Sequence, residues 1–362
     1  MVNISLDKSF QNNLSLDSIV RSYSLIQLET SDKYLIGDIT QVEYVGNRYY
    51  VADSNNNAII VFDQEGKVIY MLKAVGRGPD GFSNISYIQV ASDHTLFVLS
   101  GFKGIVSFDK NGNYLSSTKY MDKTDTLGAI YAFALTGRGD YYLWNGSVGI
   151  DKALFPERFF IYRFSNSMNI TGSYLPIKFK FFGTRKIFYG NEGDYLLQTL
   201  NGVDTILRAN SDGIYPAYYV DFGQTKIPKG TFPKSTDTYL KTFFMIQRET
   251  EWSTAIDSPI ETEKYLFFQF TNTNVSRFAF YSLKTGNVIT GTFPFRKLLG
   301  YPAFSCNAEN KLVGYIDISK ARAIPQSVID QFSPFEMEIY KKILMINTSN
   351  NPVLITLDIK DF

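Results

Sequence analysis

The chain has 362 residues, with 36 basic and 35 acidic side chains giving a formal charge of +1, so no net field exists to drive binding to nucleic acid or to an anionic membrane. A single His and a single Cys exclude a multi-histidine metal site and an internal disulfide. Hydrophobic residues at 44%, including 30 Phe and 25 Tyr, suffice for a large core of pleated strands, and no apolar run reaches the ~18 residues of a membrane-spanning helix.

The polar opening MVNISLDKSFQNN reads as a frayed terminus or the remnant of a tether, which makes residues 1–21 a tail. Ser22–Leu28 (SYSLIQL) is then an isolated apolar strand. Tyr49–Leu72 follows as strand, turn, strand, Gly turn, strand, and Leu96–Ser117 nearly repeats it: Phe62-Asp63 returns as Phe108-Asp109 and Gly66 as Gly112, each 46 residues on. A repeat of that length built from short strands is the signature of a propeller blade.

Six inner strands are expected at Ile39–Val45, Ile85–Ala91, Ile130–Leu135, Arg185–Tyr189, Pro259–Glu263 and Pro302–Cys306, each followed after a tight turn by a second strand. In five units third and fourth strands follow, joined by Gly or Asn turns where positive φ is needed. The sixth unit ends at its third strand, Pro352–Ile359, so the isolated N-terminal strand is expected to supply the fourth and close the ring. The fold class is therefore all-β, a six-bladed β-propeller of four-stranded blades with short helical insertions, occupying residues 22–362 as one domain.

Three stretches interrupt the repeat, at about 145–157, 223–258 and 319–351. Ser333-Pro334-Phe335-Glu336 is a capping box with Pro at the first helical position, followed by an apolar stripe through Ile339 and Ile343. Thr238–Arg248 carries a weaker stripe through Leu240, Phe243, Phe244 and Ile246. All three insertions fall on connections that emerge on one face of the disc, and an elaborated loop face is where binding is expected. On that face lie Trp144 and Trp252, expected to stack on a sugar or anchor a protein, together with Arg158. Arg138 is a further polar candidate.

The run Gly76-Arg77-Gly78-Pro79-Asp80-Gly81 satisfies G-x-G-x-x-G, but Pro79 lies inside it and a strand follows, so it reads as a turn between blades with Arg77 placed to meet an anionic ligand. Asp53-Ser54-Asn55-Asn56-Asn57 begins like a calcium loop but has Ala58 and Gln64 where an EF-hand needs Gly and Glu, and reads as a polar turn. His94 sits in a turn and reads as a surface residue. Asp38 and Glu43 flank an inner strand and are the carboxylates available to the channel.

The segments QLETSDKYLIGDI (Gln27–Ile39), VFDQEGKVIYML, GRGPDGF (Gly76–Phe82) and NPVLITLDI (Asn351–Ile359) together resemble the six-bladed β-propeller lipoproteins of Bacteroidetes, relatives of the NHL-repeat and TolB-like propellers. The sequence departs from that pattern at Asp80-Gly81, where the family has Gly-Glu. The resemblance implies a cell-envelope protein, periplasmic or surface-exposed and lipid-tethered in its precursor, with no catalytic residues to transfer. The function expected is non-catalytic binding of a protein or glycan by a monomer on the insertion-bearing face, without a cofactor, at Arg77, Trp144, Arg158 and Trp252. The alternative is a calcium-assisted hydrolase or lactonase, because related propellers hold calcium in the channel with Glu, Asp and Asn ligands.

Overall fold

The computed structural model describes the chain except for residues 7–9, 12–13, 74–81, 102–103, 120–129, 146–158, 177–185, 192, 198–203, 233–235, 301–302 and 348. Six antiparallel sheets form the blades of a propeller. Blade I is Ile39–Val45, Arg48–Asp53, Ala58–Asp63 and Val68–Lys73, and blade II is Tyr87–Val90, Leu96–Ser100, Gly104–Phe108 and Tyr114–Thr118. Blade III is Ile130–Leu135, Tyr141–Asn145, Phe159–Phe164 and Ile170–Pro176, and blade IV is Phe188–Asn191, Asp194–Leu197, Thr205–Asn210 and Gly213–Asp221. Blade V is Ser253–Glu261, Tyr265–Asn272, Val275–Ser282 and Val288–Gly291. Blade VI is Cys306–Ala308, Lys311–Ile316, Val353–Ile359 and, as its outer strand, the N-terminal Val20–Gln27.

Ring closure is as the sequence requires. Val20–Gln27 pairs antiparallel with Val353–Ile359, with Leu25 opposite Ile355. The repeated Gly66 and Gly112 have φ of 82° and 85°, and an added Cβ at Gly66 would lie 2.5 Å from the Gln27 carbonyl oxygen. Only glycine fits there.

The core lies between blades. Val51, Ile60, Val313 and Leu354 join blades VI and I, while Ile59, Val61, Val98 and Val106 join blades I and II. The inner and middle strands thus bury both faces against their neighbours, which is why they read as nearly continuous apolar runs, whereas the outer strands face solvent on one side.

The opening segment is not a frayed tail. Val2–Ser5 adds as a parallel fifth strand to the outer edge of blade IV, and Phe10–Gln11 does the same on blade V. Ile4, Leu6, Leu14, Leu16 and Ile19 are all buried. Residues 3–6 alternate out and in along the strand, so polar Asn3 and Ser5 lie on the solvent face.

The insertion of blade VI does not cap the channel. Its helix Pro334–Leu344 folds along the outer strand of its own blade, where Phe335 meets Tyr23 edge-on at 5.4 Å. Ile339 and Ile343 fill the cluster between blades V and VI beside Phe295 and Leu298. The capping box forms as expected: Glu336 N donates to Ser333 Oγ at 3.2 Å and Ser333 N donates to Glu336 Oε2 at 2.9 Å. Ser333→Ala is expected to lower the unfolding free energy by about 1 kcal/mol in a denaturant titration, and no change would show that packing alone holds this helix.

The other helix, Thr236–Glu249, buries Tyr239, Phe243 and Ile246, whereas Phe244, expected in the stripe, is 48% exposed. The insertion preceding blade V ends sooner than expected, because the inner strand already starts at Ser253. Two register shifts interrupt this strand, with Ala255 and Ser258 at φ 55° and 50°. Those bulges break the two-residue period on which a strand is recognised in sequence.

Candidate functional site

Inner strands bring their side chains to the axis of a propeller, and here the axis is crossed by polar bonds. Lys186, just ahead of blade IV's inner strand, places its ammonium against Glu43 of blade I, on the opposite side of the ring. Both side chains are buried, 2% and 9% exposed. Lys186 Nζ also donates to the Ser305 carbonyl of blade VI at 2.9 Å and lies 5.2 Å from the centre of the Tyr189 ring. Gln41 Nε2 donates to Glu43 Oε1 at 2.6 Å and to the Ile88 carbonyl at 2.7 Å, while Gln41 Oε1 accepts from Ile88 N at 3.0 Å. Burial pushes the Glu43 carboxyl up and the Lys186 ammonium pulls it back. Tyr195 donates to Gln89 Oε1 at 2.6 Å and Tyr87 to the Phe188 carbonyl at 3.0 Å, which tie blade IV to blade II.

On one side of this polar floor a funnel of about 1000 Å³ opens to solvent. Its wall is made by the turns between first and second strands of five blades, with Gly46, Ser92, Gly137, Glu263 and Glu309 among the residues that line it. The wall is ordered by side-chain bonds. Asn310 Nδ2 donates to Glu263 Oε2 at 3.0 Å, and Asn307 Nδ2 donates to the Glu261 carbonyl at 3.1 Å. Tyr44 donates to Glu309 Oε1 at 3.2 Å, its hydroxyl pushed up to about 12 by burial and then by that carboxylate, so it stays protonated. Glu261 is gripped by Arg208 Nη2 at 2.8 and 2.7 Å and by the Tyr218 hydroxyl, and Arg208 Nη1 reaches Asp194 at 2.5 Å. Glu263 and Glu309 are thus held by neutral donors, and neither has an ion-pair partner among the described residues.

The funnel lies on the face with tight turns, opposite the insertions. The sequence reading placed binding on the other face, at Arg77, Trp144, Arg158 and Trp252. Trp144 is fully buried and stacks on Phe160 at 5.4 Å, so it is a packing residue of blade III and not a surface anchor. Trp252 is half-buried at the start of blade V, its backbone N–H donating to Thr250 Oγ1 at 3.2 Å. Arg138 is exposed on the funnel face, 3.5 Å from Asp212. Arg77 and Arg158 lie outside the described residues.

Asp53 is a structural hub, as its turn suggested. Its carboxylate accepts from the backbone N–H groups of Gly37, Asp38, Asn55 and Asn56 and from Asn56 Nδ2 at 2.7–3.2 Å, which leaves its oxygens saturated. Asp38 accepts from Ser54 Oγ at 3.4 Å, away from Glu43.

His94 is partly buried, with Nδ1 2.9 Å from the Tyr50 hydroxyl. Burial, followed by the positive charge of Arg48, depresses its pKa, with Asp93 opposing and Lys110 reinforcing. A histidine whose folded pKa is lowered takes up its proton more readily in the unfolded chain, so stability is lost as pH falls through the unfolded value of about 6.5. The unfolding midpoint is expected to fall between pH 7 and pH 5. That component should vanish in His94→Gln, since the chain has no other histidine.

Calcium does not fit the axis. The Glu43 charge is already met by an ammonium, Gln41 turns its N–H end toward that carboxylate, and among the described residues no three His, Cys, Asp or Glu side chains converge. Calcium takes six to eight oxygen ligands, and the donors here do not supply them. Cys306, nearby, has its thiol pushed far up by burial.

The fold recurs in solved structures. A putative exported protein from Bacteroides fragilis superposes with a TM-score of 0.79 at 17% identity, covering 99% of this chain and 100% of that one. A member of the DUF4221 family from Bacteroides vulgatus superposes at 0.56 with 12% identity, covering 95% and 98%. At these identities the likeness is one of fold. No curated protein matches the sequence. The family described as a domain of unknown function, DUF4934, matches residues 1–358, and the chain belongs to that family.

Proposed function

We propose that this propeller is a non-catalytic binding protein of the cell envelope, related to the NHL-repeat and TolB-like propellers and lipid-tethered in its precursor, and that its ligand seats in the funnel. One observation carries the reading: a polar cavity of about 1000 Å³ on the ring axis, walled by the turns of five blades and closed beneath by bonded side chains. Its size is that of a large ligand site. Its wall offers acceptors from Glu263, Glu309 and Asn307, which suits a glycan or a protein segment presenting hydroxyl or amino groups. Two of the carboxylates that a hydrolase could use are committed elsewhere: Glu43 to Lys186, and Glu261 to Arg208 and Tyr218.

Photo-crosslinking distinguishes the two faces. A benzophenone side chain placed at Glu263 in the intact host cell is expected to trap a partner or glycan. The same group at Phe244, on the insertion-bearing side, is expected to trap none. Capture at Phe244 alone would move the binding site to the other face.

A further inference from the structure

We infer that the axis of this ring is a built ammonium site, filled by the chain's own Lys186, which closes the channel and stands in the place of a metal ion. Three blades contribute to it. Glu43 of blade I supplies an anionic oxygen, Ser305 of blade VI a carbonyl at 2.9 Å, and Tyr189 beside Lys186 the face of its ring at 5.2 Å. Carboxylate, carbonyl and aromatic face are the three partners that an ammonium group uses.

The orientation of Gln41 separates an ammonium site from a metal site. Its amide is fixed by two bonds to Ile88, the carbonyl end accepting from Ile88 N and the amino end donating to Ile88 O. The same amino group also donates to Glu43 Oε1 at 2.6 Å. A metal would require an oxygen there, and reversing the amide would set oxygen against oxygen and nitrogen against nitrogen at Ile88. Lys186 starts in blade IV and reaches a carboxylate three blades away, so its charge pins opposite sides of the ring together as it plugs the axis. The funnel above it is therefore a blind pocket whose floor needs no added cation.

Two measurements on the unaltered chain and one on a variant test this. Addition of millimolar calcium, or of EDTA, is expected to leave the unfolding midpoint unchanged. Limited labelling with an amine-reactive acetyl ester, read by mass spectrometry, is expected to modify Lys186 at least about tenfold more slowly than exposed lysines such as Lys320, because its amine reacts only when the ring opens. Lys186→Ala is expected to have a lower midpoint that methylammonium or ethylammonium chloride raises beyond the effect of sodium chloride. A midpoint raised by calcium in the unaltered protein, or labelling of Lys186 at the surface rate, would overturn the assignment. So would a folded Lys186→Ala protein indifferent to alkylammonium ions. If that variant does not fold, the first two measurements decide.

Discussion

Removing one half of the buried pair will cost far more than removing both. Lys186→Met leaves the Glu43 carboxylate in an interior site with no opposing charge, and Glu43→Leu strands the ammonium in the same way. Each single replacement is expected to lower stability by about 3–5 kcal/mol. In the double replacement no charge is left to desolvate and the volumes are nearly conserved, so its loss is expected to be no more than about 1.5 kcal/mol. Denaturant titrations of the four proteins close a double-mutant cycle with a large coupling term. Additive losses would show that the two groups do not interact across the axis. The pair is weak evidence for stability in itself, because its attraction is set against the desolvation of both partners. It fixes which side chains meet at the floor of the funnel.

Ile4→Asp is expected to be nearly as damaging, at about 3 kcal/mol or more. Ile4 is 1% exposed and lies in the parallel strand that seals blade IV, opposite Val220. The replacement forfeits ~1.5–3 kcal/mol of apolar burial and adds a carboxylate to an apolar contact with Leu196, Ile206 and Phe268. The edge of Gly213–Asp221 then loses its cover, and an uncovered edge recruits other chains, so aggregation should accompany the loss. Ser5→Asp is the control, since Ser5 is exposed on the same strand. Equal effects from the two would mean that residues 2–6 are not held as a strand.

The same segment shows where sequence reasoning is blind. VNISL alternates three apolar residues with two polar ones, but it is only five residues long and is set in the polar run MVNISLDKSFQNN, which hides it; it becomes a strand because blade IV presents an edge beside it. The funnel was hidden for a similar reason. Glu261 ends an inner strand, and Glu263, Glu309 and Asn310 lie in the short turns that follow inner strands; nothing local marks them as neighbours, and only the six-fold arrangement brings them to one mouth. Lys186 gave one weak signal, as one of two adjacent cations opening the expected inner strand Arg185–Tyr189. The tryptophans misled in the opposite direction. Trp144 adjoins an insertion along the chain, but strand alternation turns its ring into the core against Phe160.

Local sequence pattern set the blade count, the order of strands, the capped helix at Ser333 and the ring closure by an N-terminal strand, expected at Ser22–Leu28 and found at Val20–Gln27. These depend on local pattern: the two-residue period, glycine at positive φ and the reciprocal bonds of a capping box. Tertiary structure alone decided which face carries the cavity, which charges meet on the axis and where the insertions pack. Those depend on contacts between residues as far apart as Glu43 and Lys186, or Leu16 and Glu336. No local pattern encodes such distances; they follow from closing six twisted sheets into one ring.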